Sequence, residues 1–341
     1  MKFDSTKIEQ LKNWLQIPKQ VVIVTHPRPD GDALGSSLGF KMYLEKLQHS
    51  VTFITPTDYT RNLSWIPGTE HILTYESNLG KKMCEAKLAS AELLFCLDFN
   101  AVSRLEDLGV FIASSKARKV VIDHHQQPED FAEILFSDTT YCATAEMVFD
   151  IICDLGGEDL IDDKMAECLY TWIATDNGFF QFSNTTPNSL RAAAVLVEKG
   201  ARPEYISEKV NNVFHVNRLR YYGYCLHKKM ELTKDRRIAY MFLSKEEIKE
   251  YKLNSGDSEG LVNYPFKIEG VVMSCYFSEE NEKIKISFRS RGDIDVNEFA
   301  RKYFEGGGHK NAAGGKSLLG IEETKKRFLK ALKSEKLIIE R

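Results

Sequence analysis

Histidines and aspartates that directly follow short apolar runs are the residues of this chain best placed to do chemistry. His26, Asp30 and Asp32 lie in VVIVTHPRPDGD, Asp98 closes ELLFCLDF, Asp123, His124 and His125 close KVVIDHH, and Asp176 closes LYTWIATD. The β-branched run Val21–Val24 reads as a strand buried on both faces. His26-Pro27 ends it, and Pro29 and Gly31 force a loop. A helical pattern follows, with Leu34, Leu38 and Met42 four apart and Asp32 placed as its N-cap. Three potential metal ligands thus leave the carboxyl end of a buried strand, where open α/β sheets put their sites. For this loop alone, a helix cap with solvated carboxylates explains the residues equally well.

In a doubly wound sheet, strand ends distant in sequence converge on one crevice. Carboxylates crowded there would repel one another and raise each other's pKa values. Two divalent cations relieve that repulsion, and ions ~3.5–4 Å apart clamp a phosphoryl group for in-line attack. Mixed oxygen and imidazole donors suit Mn²⁺, Mg²⁺, Fe²⁺ or Zn²⁺.

The elements that must position these residues alternate along the first 200 positions. Strands are expected at Val21–Val24, Val51–Thr55, Glu92–Phe99 and Lys119–Asp123, with a loop at Asn62–Ile72. Helices are expected at Ala143–Leu155, Asp162–Asp176 and Pro187–Gly200. This pattern predicts an α/β fold, a mostly parallel sheet flanked by helices. Pro203–Leu232 reads as a charged helical connector. A smaller α+β domain follows, with strands at Ile238–Leu243, Ile268–Phe277 and Lys283–Arg289 and helices at Asp295–Phe304 and Ile321–Lys333. The expected domains are residues 1–200, a connector at 201–234, and residues 235–341.

Composition narrows the partners. There are 46 basic and 49 acidic residues, a formal net charge of −3. No overall basic field exists to hold long nucleic acid by counterion release, so nucleic-acid contact should be local and short. No apolar run reaches the ~18 residues needed to span a bilayer, so no membrane partner is expected. The opening MKFDSTKIEQLKNWL lacks the apolar core of a signal peptide. The seven cysteines contain no C-x-x-C pair and read as reduced, mostly buried thiols of a cytoplasmic protein.

Four ordered motifs resemble the DHH phosphoesterase family: His26-Pro-Arg-Pro-Asp30-Gly-Asp32, Asp98 in LLFCLDF, VVIDHH at Val120–His125, and Asp176 in TWIATDNGFF. Gly306–His309 (GGGH) resembles the signature of the DHH-associated C-terminal domain. The resemblance implies that His26 and Asp30 hold one cation, that Asp32, His124 and Asp176 hold another, and that Asp98 bridges them. The pair would be Mn²⁺, or else Mg²⁺. Asp123 would orient a ligating imidazole, and His125 would stabilise charge on the scissile phosphate.

In the C-terminal part, the glycines of Gly306–Gly308, Gly307 and Gly308 included, allow close backbone approach to a ligand, and His309 could bond a phosphate. Ser287, Arg289 and Arg291 alternate and so share a strand face, where two arginines can fork a phosphate. An ordinary solvated edge strand fits the same spacing. Asn263 is a further candidate for the cleft.

The chain most resembles the subgroup of bifunctional oligoribonucleases and pAp phosphatases, which implies short RNA and pAp as substrates. The catalytic domain would activate water while the second domain grips the far end of the substrate, with residues 204–232 as hinge. The same analogy suggests a homodimer. The alternatives are a single-strand DNA exonuclease, a pyrophosphatase, a cyclic or linear dinucleotide phosphodiesterase and, from another class, a non-catalytic nucleotide-binding sensor.

Overall fold

The computed structural model describes residues 2–211, 215–253, 256–281 and 283–337. The chain divides into two compact units, residues 1–212 and 213–341.

The first unit is built on strands β1 (Gln20–Val24), β2 (Ser50–Thr55), β3 (Leu73–Thr74), β4 (Leu93–Leu97), β5 (Arg118–Asp123) and β6 (Ile134–Ser137), in the order β3-β2-β1-β4-β5-β6. Every neighbouring pair is parallel. Alternation along β1 sends Val21 and Ile23 into one core and Val22 and Val24 into the other. The first core is closed by helices α1 (Ser5–Trp14), α2 (Gly31–Lys46), α5 (Thr144–Asp154), α6 (Asp163–Asp176) and α7 (Pro187–Glu198); the second is closed by α3 (Asn78–Ser90) and α4 (Asp107–Ser114). The strand order reverses direction between β1 and β4, which makes their carboxyl ends the switch point where such sheets leave a crevice.

Helix α8 (Pro203–Asn211) ends the first unit and α9 (Val216–Tyr224) begins the second. The second sheet runs β11-β12-β10-β9-β8-β7, from β7 (Met230–Leu232), β8 (Ile238–Leu243), β9 (Met273–Glu279), β10 (Ile284–Ser290), β11 (Gly307–His309) and β12 (Ala312–Ser317). It is antiparallel except for β8 with β9. Helix α10 (Lys245–Glu250) follows β8; α11 (Val296–Tyr303) and α12 (Ile321–Ser334) follow β10 and β12. Phe277, Phe288, Phe299, Phe304 and Phe328 form the centre of its main core.

Several expectations change. Pro203–Leu232 is not helical throughout, because Met230 and Leu232 alternate with Glu231 and pair with β8 across a turn at Arg236, where φ is +57°. The strand expected from Ile268 starts at Met273, because residues 261–267 form a short 3₁₀ helix and Gly270 turns the chain at φ +82°. Short 3₁₀ turns at Arg61–Leu63 and Thr69–His71 interrupt the expected 62–72 loop. No helix among the described residues is long and apolar enough to cross a membrane. All seven cysteines are free thiols.

Candidate active site

Three adjacent strand ends deliver the expected side chains. His26 follows β1, Asp98 follows β4, and Asp123, His124 and His125 end β5. Asp98 sits at φ +62°, a left-handed conformation, with its N–H donating to the Ile122 carbonyl of β5 at 3.0 Å. A non-glycine residue held in this region marks a place where the surroundings impose the backbone. Asp30, not Asp32, caps α2: its Oδ1 accepts from the Ala33 N–H at 3.1 Å. Asp32 lies in the first turn, buried and turned inward.

Among the groups of possible ligand atoms are His26–Asp30–Asp98 and Asp32–Asp98–His124, and Asp98 belongs to both. His26 Nε2 lies 3.3 Å from Asp98 Oδ2 and 3.9 Å from Asp30 Oδ1. His124 Nε2 lies 3.7 Å from Asp32 Oδ2 and 3.7 Å from Asp98 Oδ1. Both rings are oriented through Nδ1, at 3.0 Å from the Pro27 carbonyl for His26 and 3.2 Å from the Tyr141 carbonyl for His124. Carbonyl acceptors on one ring nitrogen are the usual way of aiming the other. Asp123 orients His125 rather than His124: its Oδ1 is 2.7 Å from His125 Nδ1, and its Oδ2 accepts from the His125 N–H at 3.0 Å. Asp176, the last residue of α6, belongs to none of these groups, but its charge reaches Asp32.

The electrostatics fit a cation site. Burial pushes the Asp32 carboxyl well above the usual carboxylate range, and Asp98, Asp176 and Asp30 push it further. Burial also acts against the Asp98 carboxylate, but His26, His125 and His124 outweigh it and hold Asp98 below that range. For His26, burial opposes protonation, yet Asp98 and Asp30 raise it from 6.5 to about 9. His125 is likewise raised, Asp123 and Asp98 outweighing burial. Without metal the cluster thus retains protons at neutral pH. Asp30, Asp32 and the shared Asp98, with the imidazoles of His26 and His124, are a donor set for divalent cations such as Mn²⁺ or Mg²⁺.

A pH dependence follows. His26 must be neutral to ligate, so a cation held there would displace a proton at neutral pH, where the imidazole is raised to about 9. Apparent Mn²⁺ affinity should then climb about tenfold per pH unit for each proton displaced. Calorimetry in buffers of different ionisation enthalpy between pH 6 and pH 8 measures the released protons. Proton-free, pH-independent binding would contradict this arrangement.

The sequence reading missed what holds the carboxylates. The start of α5 donates to Asp32 twice, from Thr144 N–H to Oδ2 at 2.6 Å and from Ala145 N–H to Oδ1 at 2.9 Å. The Thr144 hydroxyl donates to Asp98 Oδ1 at 2.9 Å. Asn100 Nδ2 donates to the His125 and Gln126 carbonyls at 3.0 and 3.1 Å. The run CATAEM carried a faint signal, a threonine opening a helical pattern. Thr144→Val should weaken Mn²⁺ binding about tenfold with the fold retained, while Thr144→Ser should preserve it. Titration of both variants checks this, and equal affinity in Thr144→Val would remove the hydroxyl from the site.

In the second unit, β10, β12 and β11 align Arg289 with Ala312 and Ala312 with His309, and likewise Ser287 with Gly314 and Gly314 with Gly307. Directly opposed residues share a face, so Ser287, Arg289, Gly307 and His309 lie on one side of the sheet. Arg289 Nη1 donates to the Phe288 carbonyl at 2.9 Å. Arg291 lies past the strand end, its guanidinium 4.6 Å from the Phe266 ring centre, so the two do not present the simple alternating fork. The glycines answer local packing: a Cβ on Gly306 would lie 2.0 Å from the Gly314 carbonyl oxygen, and Gly308 has φ +149°. The Gly308 N–H donates to Asn297 Oδ1 at 2.9 Å. Asn263 is half-buried in the 261–267 helix.

Residues 20–173 match the DHH family, N-terminal domain, and residues 235–336 match the DHHA1 domain. A bifunctional oligoribonuclease and PAP phosphatase NrnA from Thermus thermophilus is 31% identical over 322 residues, 92% of this chain and 90% of that protein. The chain belongs to the DHH family. This DHH protein is also 27% identical to the Bacillus subtilis bifunctional oligoribonuclease and PAP phosphatase NrnA, over 86% of this chain and 88% of the other. The crystal structure of an exopolyphosphatase-related protein from Bacteroides fragilis is 38% identical, covers 98% of both chains and superposes with a TM-score of 0.93. The DHH chain is thus a phosphoesterase by family, with the family's fold along its length.

Proposed function

We propose that this protein is a cation-dependent phosphoesterase that hydrolyses RNAs of about two to five nucleotides to mononucleotides and converts pAp to AMP. The observation that carries the reading is the pair of ligand groups sharing Asp98 at the switch point of the sheet. Near full-length similarity to proteins named bifunctional oligoribonuclease and PAP phosphatase supports the choice of substrates.

In this proposal His26 and Asp30 hold one cation, Asp32, His124 and Asp176 a second, and Asp98 both. Mn²⁺ is the favoured ion, with Mg²⁺ as substitute. Bound there, the ions would activate water and neutralise charge on the phosphoryl oxygens. Thr144 and Ala145 aim Asp32 by donating their N–H groups to its carboxyl. His125, its ring fixed by Asp123, stabilises negative charge at the scissile phosphate. Arg289, Arg291, Gly307, Gly308 and His309, with Asn263, bind substrate through the second domain. The division into a catalytic domain at 1–200, a connector at 201–234 and a substrate domain at 235–341 belongs to the same proposal, as do a homodimer and a cytoplasmic setting.

The test compares turnover of a diribonucleotide, pAp, pyrophosphate and a DNA oligomer in Mn²⁺ and in Mg²⁺. The diribonucleotide and pAp should be the preferred substrates. Preference for pyrophosphate or DNA, or nucleotide binding without any hydrolysis, would overturn the reading.

A further inference from the structure

The loop after Asp176 has an unusual backbone that the groups of possible ligands do not explain. Gly178, Phe179 and Phe180 are all left-handed, with φ of +63°, +54° and +64°. Bulky residues adopt this region only where the surroundings over-determine it, and such positions gather at functional sites. Here the constraint comes from Asn177, which is fully buried. Its Oδ1 accepts from the Phe180 N–H at 2.7 Å, and its carbonyl accepts from Gln181 and Phe182 at 3.0 and 2.9 Å. The Phe179 N–H returns to the Ala174 carbonyl at 2.5 Å. Asn184 Nδ2 donates to the Asp176 carbonyl at 3.1 Å, so the loop folds back on the helix end that carries Asp176.

The three aromatic rings have different fates. Phe179 and Phe180 pack against the core, with Phe180 6.4 Å from Tyr170 between ring centres. Phe182 stays 49% exposed. Its ring lies over Gly178: a Cβ there would meet Cε1 and Cζ at 2.6 Å and Cε2 at 2.7 Å. One face of the ring is therefore backed by glycine backbone two residues past Asp176, and the ring's exposed surface faces solvent. A strained turn that half-buries two phenylalanines and holds out the third suits a flat apolar ligand near the helix end that carries Asp176.

We propose that Phe182 is a stacking platform for a nucleobase of the nucleotide held at the Asp32–Asp98 cluster. The ligand class is a nucleoside monophosphate unit, and the contact deepens the proposed ribonuclease reading, on which it rests. Stacking on an aromatic side chain accepts any base, since each has a π-face. The contact would sharpen binding without dictating sequence.

The test measures binding of AMP and of base-free ribose 5-phosphate in Mn²⁺, to the wild type, Phe182→Ala and Phe182→Tyr, with kinetics on the diribonucleotide ApA. The wild type should bind AMP about tenfold more tightly than ribose 5-phosphate, and Phe182→Ala should abolish that difference. Phe182→Tyr should restore it. On ApA, Phe182→Ala should raise KM about tenfold and leave kcat within about twofold. An AMP preference that survives in Phe182→Ala, or an equal loss for AMP and ribose 5-phosphate, would overturn the inference, as would a wild type with no preference. If the wild type cleaves neither ApA nor pAp while its AMP preference still depends on Phe182, the substrate reading falls and the stacking contact stands.

Discussion

Asp98→Asn should lower cation-dependent turnover of a diribonucleotide by on the order of a thousandfold, with the fold intact. Asp98 is the carboxylate common to both ligand groups, so its loss affects both at once. Asparagine tolerates the left-handed φ of +62° better than alanine, and is close in shape. It can still accept from the Thr144 hydroxyl and donate its N–H to Ile122. What disappears is the charge. Asp98 is held ionised by its histidines, so its favourable pairing with them is present above the usual carboxylate pKa and fades as pH falls. Its removal also relieves repulsion on Asp32. These effects oppose, and the melting temperature of the metal-free variant should stay near that of the wild type. Near-normal turnover would sink the role given to Asp98.

Gly35→Ala should have the largest effect on stability. The added Cβ would lie 1.7 Å from Trp172 Cδ1, 2.3 Å from its Nε1 and 2.7 Å from the Cys168 carbonyl oxygen. Trp172 is buried, and Cys168 contributes helix backbone that cannot swing away. Helices α2 and α6 must separate, at a cost of about 3 kcal/mol. For a unit of this size that lowers Tm by roughly 6–12 °C. The shift also moves the start of α2, where a Cβ on Gly31 would lie 1.7 Å from the same Trp172 ring, so Mn²⁺ affinity should fall with stability. Combining Gly35→Ala with Trp172→Leu opens room, and the pair should lose less than the sum of its single changes. Thermal and denaturant melts check both. An unchanged midpoint in Gly35→Ala would mean the helices are not so closely packed.

The catalytic end of the fold was legible because burial on both sheet faces leaves an uninterrupted apolar run, and each run stops at a polar residue. Val21–Val24, the ELLFCLDF run and KVVID announced their strands in this way, and the parallel sheet followed. The N-cap was misassigned by two residues because local spacing cannot show that Asp32 is claimed by Thr144 and Ala145, more than a hundred positions away. Gly31 was read only as a loop former, and Gly35 and Gly39 went unread; their spacing of four marks one helix face meeting α6. Helices α3 and α4 went unread because short, charged or uniformly apolar stretches show little periodicity. Strands β11 and β12 are rich in glycine and alanine, so no β-branched pattern exposed them. For Asp123, sequence adjacency could not decide which of the two following histidines its carboxylate would hold.

The central claim is that the strand ends of the first unit assemble cation sites sharing Asp98. A crystal soaked in Mn²⁺ and measured at the manganese absorption edge tests it directly. The expected result is two anomalous peaks, one beside His26, Asp30 and Asp98 and one beside Asp32, Asp98 and His124. Manganese bound elsewhere, with no peak at Asp98, would contradict it.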